Sequence, residues 1–193
     1  MSPTRLLILG AVRIFQPVHG YLVRRELMSW QVDRWAHLNP GSVYNALRSL
    51  ARDGYLEEVA TEQGAAGSAR TTYRLTPDGE SELLRLVREA LWTIDAGSPE
   101  KLLAGLSFMW VLSREEVAAA LEHRIAQIDD SHRASEFAVE SIFEHPHKPD
   151  HVAEILRLVD ARVQGERVWA TEMIERVRGG DYVFAGEDDP PLG

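Results

Sequence analysis

The stretch LNPGSVYNALRSLARDGYLE, Leu38 to Glu57, carries two arginines, two asparagines and two tyrosines, with no carboxylate before Asp53. At 100° per residue, Gly41, Tyr44, Asn45, Arg48, Ser49 and Arg52 fall on one side of a helix and Val43, Ala46, Leu47 and Leu50 on the other. Such an outward face can fork guanidinium groups onto phosphate or guanine (Arg48, Arg52), reach base edges (Asn45) and donate to phosphates near the helix start (Ser42, Tyr44). Alone, a polar helix face reads as solvated surface. Its neighbours in the chain decide between the two readings.

Those neighbours have clear punctuation. Asn39 is a good N-cap, Pro40 suits the first helical position, and Gly54 follows the last periodic residue as a left-handed stop. The helix spans about 21 Å at 1.5 Å rise per residue. Ahead of it, Ser2 and Pro3 open a helix carrying Leu6, Leu7, Leu9 and Val12 that ends near Phe15 to Pro17, and a second runs from His19–Tyr21 to about Trp30. Behind it the period changes to alternation. Tyr55 to Ala60 and Arg70 to Leu75 predict two strands around the polar tip TEQGAAGSA. Thr76 and Pro77 then launch a helix through Leu83, Leu84, Val87, Leu91 and Ile94.

Helix, helix, helix, hairpin is the order of a winged helix-turn-helix DNA-binding domain, whose third helix enters a major groove about 12 Å wide. The expected fold class is therefore mainly α: three helices plus a two-stranded β-hairpin wing, followed by an α-helical dimerisation domain. Arg70 and Arg74 extend the cationic footprint on the wing, while Glu57, Glu58 and Glu62 oppose it.

Charge supports this division. The net charge of -9 would argue against a nucleic-acid partner if it were uniform. From Met1 to Pro77, however, nine arginines face six acids, a balance of +3, whereas from Asp95 to Gly193 ten basic residues face twenty acids, a balance of -10. The expected boundaries are 1–95 for the winged helix, 96–180 for a helical dimerisation and effector domain, and 181–193 for a disordered acidic tail ending in EDDPPLG. In the middle part, Ser98 and Pro99 start one helix, and the capping box Ser113 to Glu116 precedes Val117, Leu121, Ile125 and Ile128 on a helix reaching about Phe143. After HPHKPD, Leu156, Val159, Val163 and Trp169 belong to a last long helix ending near Gly179. The stripes Leu121, Ile125, Ile128 and Leu156, Val159, Val163, Trp169 are the expected dimerisation residues. Two recognition helices about 34 Å apart would read successive major grooves of a palindrome.

The segments LLILGAV, HGY, NPGSVYNALRSLARDGYLE and TTYRLTPDGE, over roughly residues 5 to 90 and in this order, resemble the signature segments of PadR-family transcriptional regulators. The resemblance implies a dimeric, cytoplasmic, usually repressing DNA-binding protein whose C-terminal helices form the dimer and help shape an effector pocket. LLAGLSFMWVLSREEVAAALEHRI and the long final helix resemble the branch with the larger C-terminal domain. The wing glutamates depart from a uniformly basic wing.

Other constellations rank lower. Trp92, Phe108, Met109 and Trp110 cluster near the junction; aromatic residues at helical spacing are usually core, and the sharper alternative is a pocket for a small planar aromatic effector. His145, His147 and His151 match no strong zinc pattern, and the expected reading is solvated polar residues with no metal and no cofactor. Without cysteine there is no disulfide, thiolate or thiol redox chemistry. No GxSxG, GxxxxGK(S/T), HExxH or GxGxxG occurs, so an enzyme is not expected. The longest apolar run, Leu102 to Leu112, is broken by Gly105 and Ser107 and is shorter than the ~20 residues that cross a bilayer. With no signal-peptide pattern at the start, the expectation is a cytoplasmic protein without membrane contact. The alternative function is a helical protein–protein adaptor that keeps the winged-helix scaffold without binding DNA.

Overall fold

The computed structural model describes residues 3–63, 69–95, 98–143 and 149–187. The central part of the wing tip, Ala96 and Gly97, His145 and His147 of the histidine cluster, and 188–193 of the acidic end lie outside the described residues. The chain divides into two compact units, one containing the described part of Met1–Ala90 with Ser98–Met109, the other containing Leu91–Gly97 and the chain from Trp110. The helix over Pro99–Ser107 thus packs with the first unit, although it follows the expected boundary at residue 95.

The first unit is built around α1 (Pro3–Phe15), whose residues Leu6 to Val12 are all buried, so that this helix is apolar all round rather than along one face. Gly10 permits the closest approach: a Cβ there would lie 2.3 Å from the ring of Phe108. Strand β1 (Val18–His19) leads into α2 (Gly20–Ser29) and the short α3 (Val32–Trp35). Neither β1 nor α3 was expected; at two and four residues they are too short to show a period. Helix α4 (Pro40–Arg52) follows, burying Val43, Leu47 and Leu50.

The hairpin consists of β2 (Leu56–Gln63) and β3 (Ala69–Leu75), longer at the tip than expected. The two-stranded wing gains β1 as a third strand in the order β1-β3-β2, with Val18 opposite Tyr73. The register between β2 and β3 shifts at Val59, a bulge between Glu58 and Ala60. Helices α5 (Pro77–Trp92) and α6 (Pro99–Ser107) complete the set of elements around this body, α6 against α1.

In the second unit α7 (Arg114–Phe143) packs on α8 (Ala153–Gly179). Their partners run in opposite directions: Glu122 with Arg178, Asp129 with Arg167, His132 with Asp160, and the ring of Phe143 beneath Arg157, so the helices are antiparallel. Arg124 is buried, pairs with Glu166 and donates to the carbonyls of Leu91 and Thr93 at 3.0 and 2.9 Å. The expectation of disorder from residue 181 is corrected for 181–187. There the Ala185 amide donates to the carbonyl of Trp110 at 2.9 Å, Phe184 is buried, and Arg114 binds Glu187 at 2.7 Å. Long-range pairing of this kind outweighs a locally polar composition.

Candidate nucleic-acid interface

Helix α4 is fixed at both ends by backbone devices. Asn39 occupies the N-cap in extended geometry, but its side chain makes no cap bond; its carbonyl instead accepts from the Ser42 amide at 2.9 Å. At the other end Gly54 has φ +83°, the Gly54 amide donates to Ala51 and the Tyr55 amide to Leu50, the paired bonds of a Schellman stop. Thr76 locks this end to the next helix, its hydroxyl donating to the Gly54 carbonyl at 2.7 Å and accepting from the Gly79 amide at 3.0 Å. A rod held this way keeps its polar face in one orientation.

That face is exposed at Gly41, Ser42, Tyr44, Asn45, Arg48 and Arg52, with Ser49 half-buried. Its cations differ. Arg48 donates to Asn45 Oδ1 at 2.7 Å, which aligns the two side chains without neutralising the guanidinium. Arg52 donates to Ser49 at 3.0 Å and lies 3.3 Å from Asp53, so part of its charge is already answered. On the wing, Arg74 lies 3.5 Å from Glu57 across the hairpin. Arg70 on β3 stands in backbone register with Glu62 on β2. For Arg74 and Glu57 the opposition read in the sequence is thus also a pairing in space.

Beside α4 lies a cavity of about 720 Å³ lined by His19, Gly20, Tyr21, Tyr44, Arg48, Thr71 and Tyr73. Gly20 brings the start of α2 close to α4, where a Cβ would meet Leu47 and the Tyr44 ring at 3.1 and 3.3 Å. The His19 and Tyr21 rings stack at 5.9 Å, and the buried His19 Nδ1 has no hydrogen-bond partner. Burial raises the Tyr73 phenol above its ordinary value, Glu58 adds to the rise and Arg48 works against it, so the phenol keeps its proton as a donor. Sequence reasoning missed this group. His19, Tyr21, Thr71 and Tyr73 join Tyr44 and Arg48 only through the pairing of β1 with β3, for which two residues of strand give no signal.

The other expected residues are placed as follows. Phe108 and Met109 are buried in the first unit, Phe108 against Gly10 and Trp30. Trp92 and Trp110 belong to the second, where Trp92 borders a cleft with Thr93, Ile94, Gln127, Asp130 and Ser131 and tilts against His123 at 5.1 Å. Leu121 and Ile128 are buried within the second unit, Ile125, Leu156, Val163 and Trp169 are half-buried, and Val159 is exposed. His151 is exposed, and among the described residues no group of three or more histidine, aspartate or glutamate side chains could hold a metal. No helix among them is long and apolar enough to cross a membrane.

Three helices with a polar-faced α4, followed by a β-hairpin, define a winged helix-turn-helix protein. Residues 8–85 match the model of the transcriptional regulator PadR-like family. The match covers less than half of the chain and leaves α6, α7 and α8 outside it. Similar solved structures include Bacillus subtilis PadR in complex with operator DNA, at 18% identity and a TM-score of 0.40, covering 90% of this chain and 98% of that one. Bacillus subtilis PadR in complex with p-coumaric acid is 15% identical, with a TM-score of 0.37 and coverage of 91% and 99%. A PadR-like transcriptional regulator from Bacillus cereus is 14% identical, with a TM-score of 0.36 and coverage of 91% and 98%. No curated protein sequence matches the chain.

Proposed function

We propose that the chain is a dimeric repressor that binds a palindromic operator in the cytoplasm, with α4 in the major groove and the wing on the adjacent backbone, and that a small aromatic effector releases it. The observation that carries this reading is the outward face of α4, where Arg48, aligned by Asn45, stands beside the tyrosine-lined cavity with no carboxylate among the residues of the helix. The cavity supplies tyrosine hydroxyls and an unpartnered imidazole nitrogen beside Arg48, group types that serve phosphate contacts. Arg74, balanced by Glu57, gives the wing a supporting share. For the dimer, the support is the apolar surface that α7 and α8 leave open at Phe137, Ile155, Leu158 and Val159.

The test begins with selection of binding fragments from the source genome, including DNA upstream of the chain's own gene, to supply an operator. Binding is then measured against salt. Arg48→Ala is expected to weaken operator binding by about 1–3 kcal/mol, roughly 5- to 150-fold, and to lower the salt slope by about one. Arg52→Ala is expected to do less, because Asp53 already holds part of that charge. Operator binding that survives both substitutions, or that ignores ionic strength, refutes the assignment and favours an adaptor without DNA.

A further inference from the structure

Helix α2 carries two neighbouring arginines whose surroundings differ. Arg24 and Arg25 are both exposed, and neither belongs to the DNA, effector or dimer residues named above. Arg25 donates twice to Glu26 Oε1, at 2.9 and 2.7 Å, so its charge is answered inside the chain. The Arg24 guanidinium has no ion-pair or hydrogen-bond partner among the described residues.

The turn of the helix separates the two further. Gly20 opens α2 on the side that meets α4, where a Cβ would lie 3.1 Å from Leu47 and 3.3 Å from the Tyr44 ring. At 100° per residue, Arg24 stands about 40° from Gly20 around the helix and Arg25 about 140°. Arg24 therefore leaves the flank of α2 next to α4, and Arg25 the flank turned away. Tyr21, 52% exposed, comes one turn before Arg24 on the outward side and lines the same cavity as Tyr44 and Arg48 of α4. Stacking on His19 holds its ring there.

That flank is where a bordering strand of DNA would pass. A helix roughly 10–12 Å across fills a major groove about 12 Å wide, so an element packed beside it meets the phosphates that edge the groove. Helix α2 packs on α4 in this way. Arg52, at the end of α4, and Arg74, on the wing, already lie beside carboxylates, Asp53 at 3.3 Å and Glu57 at 3.5 Å. A guanidinium so paired must exchange its carboxylate for a phosphate, whereas a free one releases only water and the counterions of the duplex.

We propose that Tyr21 and Arg24 form a second DNA-binding surface on α2, which holds a backbone phosphate at the edge of the groove entered by α4 and carries more of the electrostatic grip than the wing. The proposal rests on the reading of α4 as the DNA-contacting helix.

The test uses the full chain with the selected operator and with a random-sequence duplex, binding being measured across ionic strength. Arg24→Gln alters an exposed, unpartnered side chain and should leave the thermal melt unchanged. It should weaken both complexes alike, by about five- to tenfold at about 0.1 M salt, and lower the salt slope by about one. Arg25→Gln should leave the slope as it is, because Glu26 already holds that charge. Tyr21→Phe, which removes a neutral donor, should weaken binding about threefold without moving the slope. On operators carrying one uncharged methylphosphonate at a time, one position in each half-site should cost the wild type about fivefold and Arg24→Gln nothing. An unmoved slope in Arg24→Gln, an equal fall in Arg25→Gln, or the lack of any such phosphate overturns the surface, and full affinity in Tyr21→Phe removes the tyrosine from it. If Arg48→Ala still loses the operator in that case, the reading of α4 stands alone. A chain that binds neither duplex overturns the reading of α4 and the α2 surface together.

Discussion

In the first unit, seven consecutive residues of α1 from Leu6 to Val12 are buried, and Phe108 lies sealed against Gly10. In the second, α8 exposes Ile155 by 62%, Leu158 by 65% and Val168 by 59%, and its contacts with α7 include a run of charge pairs. Apolar surface in one unit is consumed inside; in the other much of it faces out. A body of the first kind is closed by burial of its own side chains, with the polar face of α4 left over for contact. The second kind sets its two helices in register by directional ion pairs and leaves apolar area in the open. Register matters more than strength there, because exposed ion pairs contribute little each.

Phe108→Ala gives the largest effect expected on this contrast. Removing a fully buried ring wedged against a glycine should destabilise the first unit by about 3–5 kcal/mol in urea unfolding followed by circular dichroism. A loss below about 1 kcal/mol would mean that the first unit is not closed around this ring. Arg124→Ala should follow, at roughly 3 kcal/mol in the second unit, since it strips the partner from Glu166 and leaves the Leu91 and Thr93 carbonyls without their donor. Arg124→Met separates the parts: recovery of most of that loss would show that the burial, and not the charge pair, matters at this position.

The contrast also explains what could be read from the sequence. The bounds of α4 were legible because Pro40 and Gly54 are local backbone devices, and the pairing of β2 with β3 because alternation is local too. The cavity beside α4 was not, since β1 exists only by pairing with β3. Nor was the order of residues 181–187, which depends on Arg114 some seventy positions earlier. On α7 and α8, helical periodicity identifies apolar stripes but not what covers them: Leu121 and Ile128 are already buried within the unit, while Ile155, Leu158 and Val159 are open. The dimer is therefore expected to be more sensitive to Leu158→Glu than to changes at the buried positions that leave the fold intact. Sedimentation should show association weakened by about 2 kcal/mol, roughly 30-fold, with an unchanged melting profile of the dissociated chain. A dimer indifferent to Leu158→Glu would place the partner elsewhere.

The smallest effect concerns how the second unit answers pH. His132 on α7 stands 2.9 Å from both Asp160 oxygens on α8 and 3.6 Å from Glu136, with Asp129 nearby in the grip of Arg167 at 2.6 Å and Arg133 on the same helix. The hydrogen bond to Asp160 raises the imidazole above its ordinary 6.5, with Asp160, Glu136 and Asp129 adding charge and desolvation opposing. A raised value makes this stabilisation complete below the unfolded value and removes it as the pH climbs through the folded one. Asp129 acts in the opposite sense: the hydrogen bond from Arg167 lowers its carboxyl below 3.8, so its contribution is present above that value and fades only in acid. The alkaline limb of α7–α8 pairing therefore belongs to His132. Between about pH 6 and about pH 8 the melting temperature of the wild-type second unit should fall slightly, and His132→Gln, which can still donate to Asp160 but cannot titrate, should flatten that slope. Parallel slopes in the two proteins would show that the clamp works as a neutral hydrogen bond, and that register in this unit owes nothing to the charge on the ring.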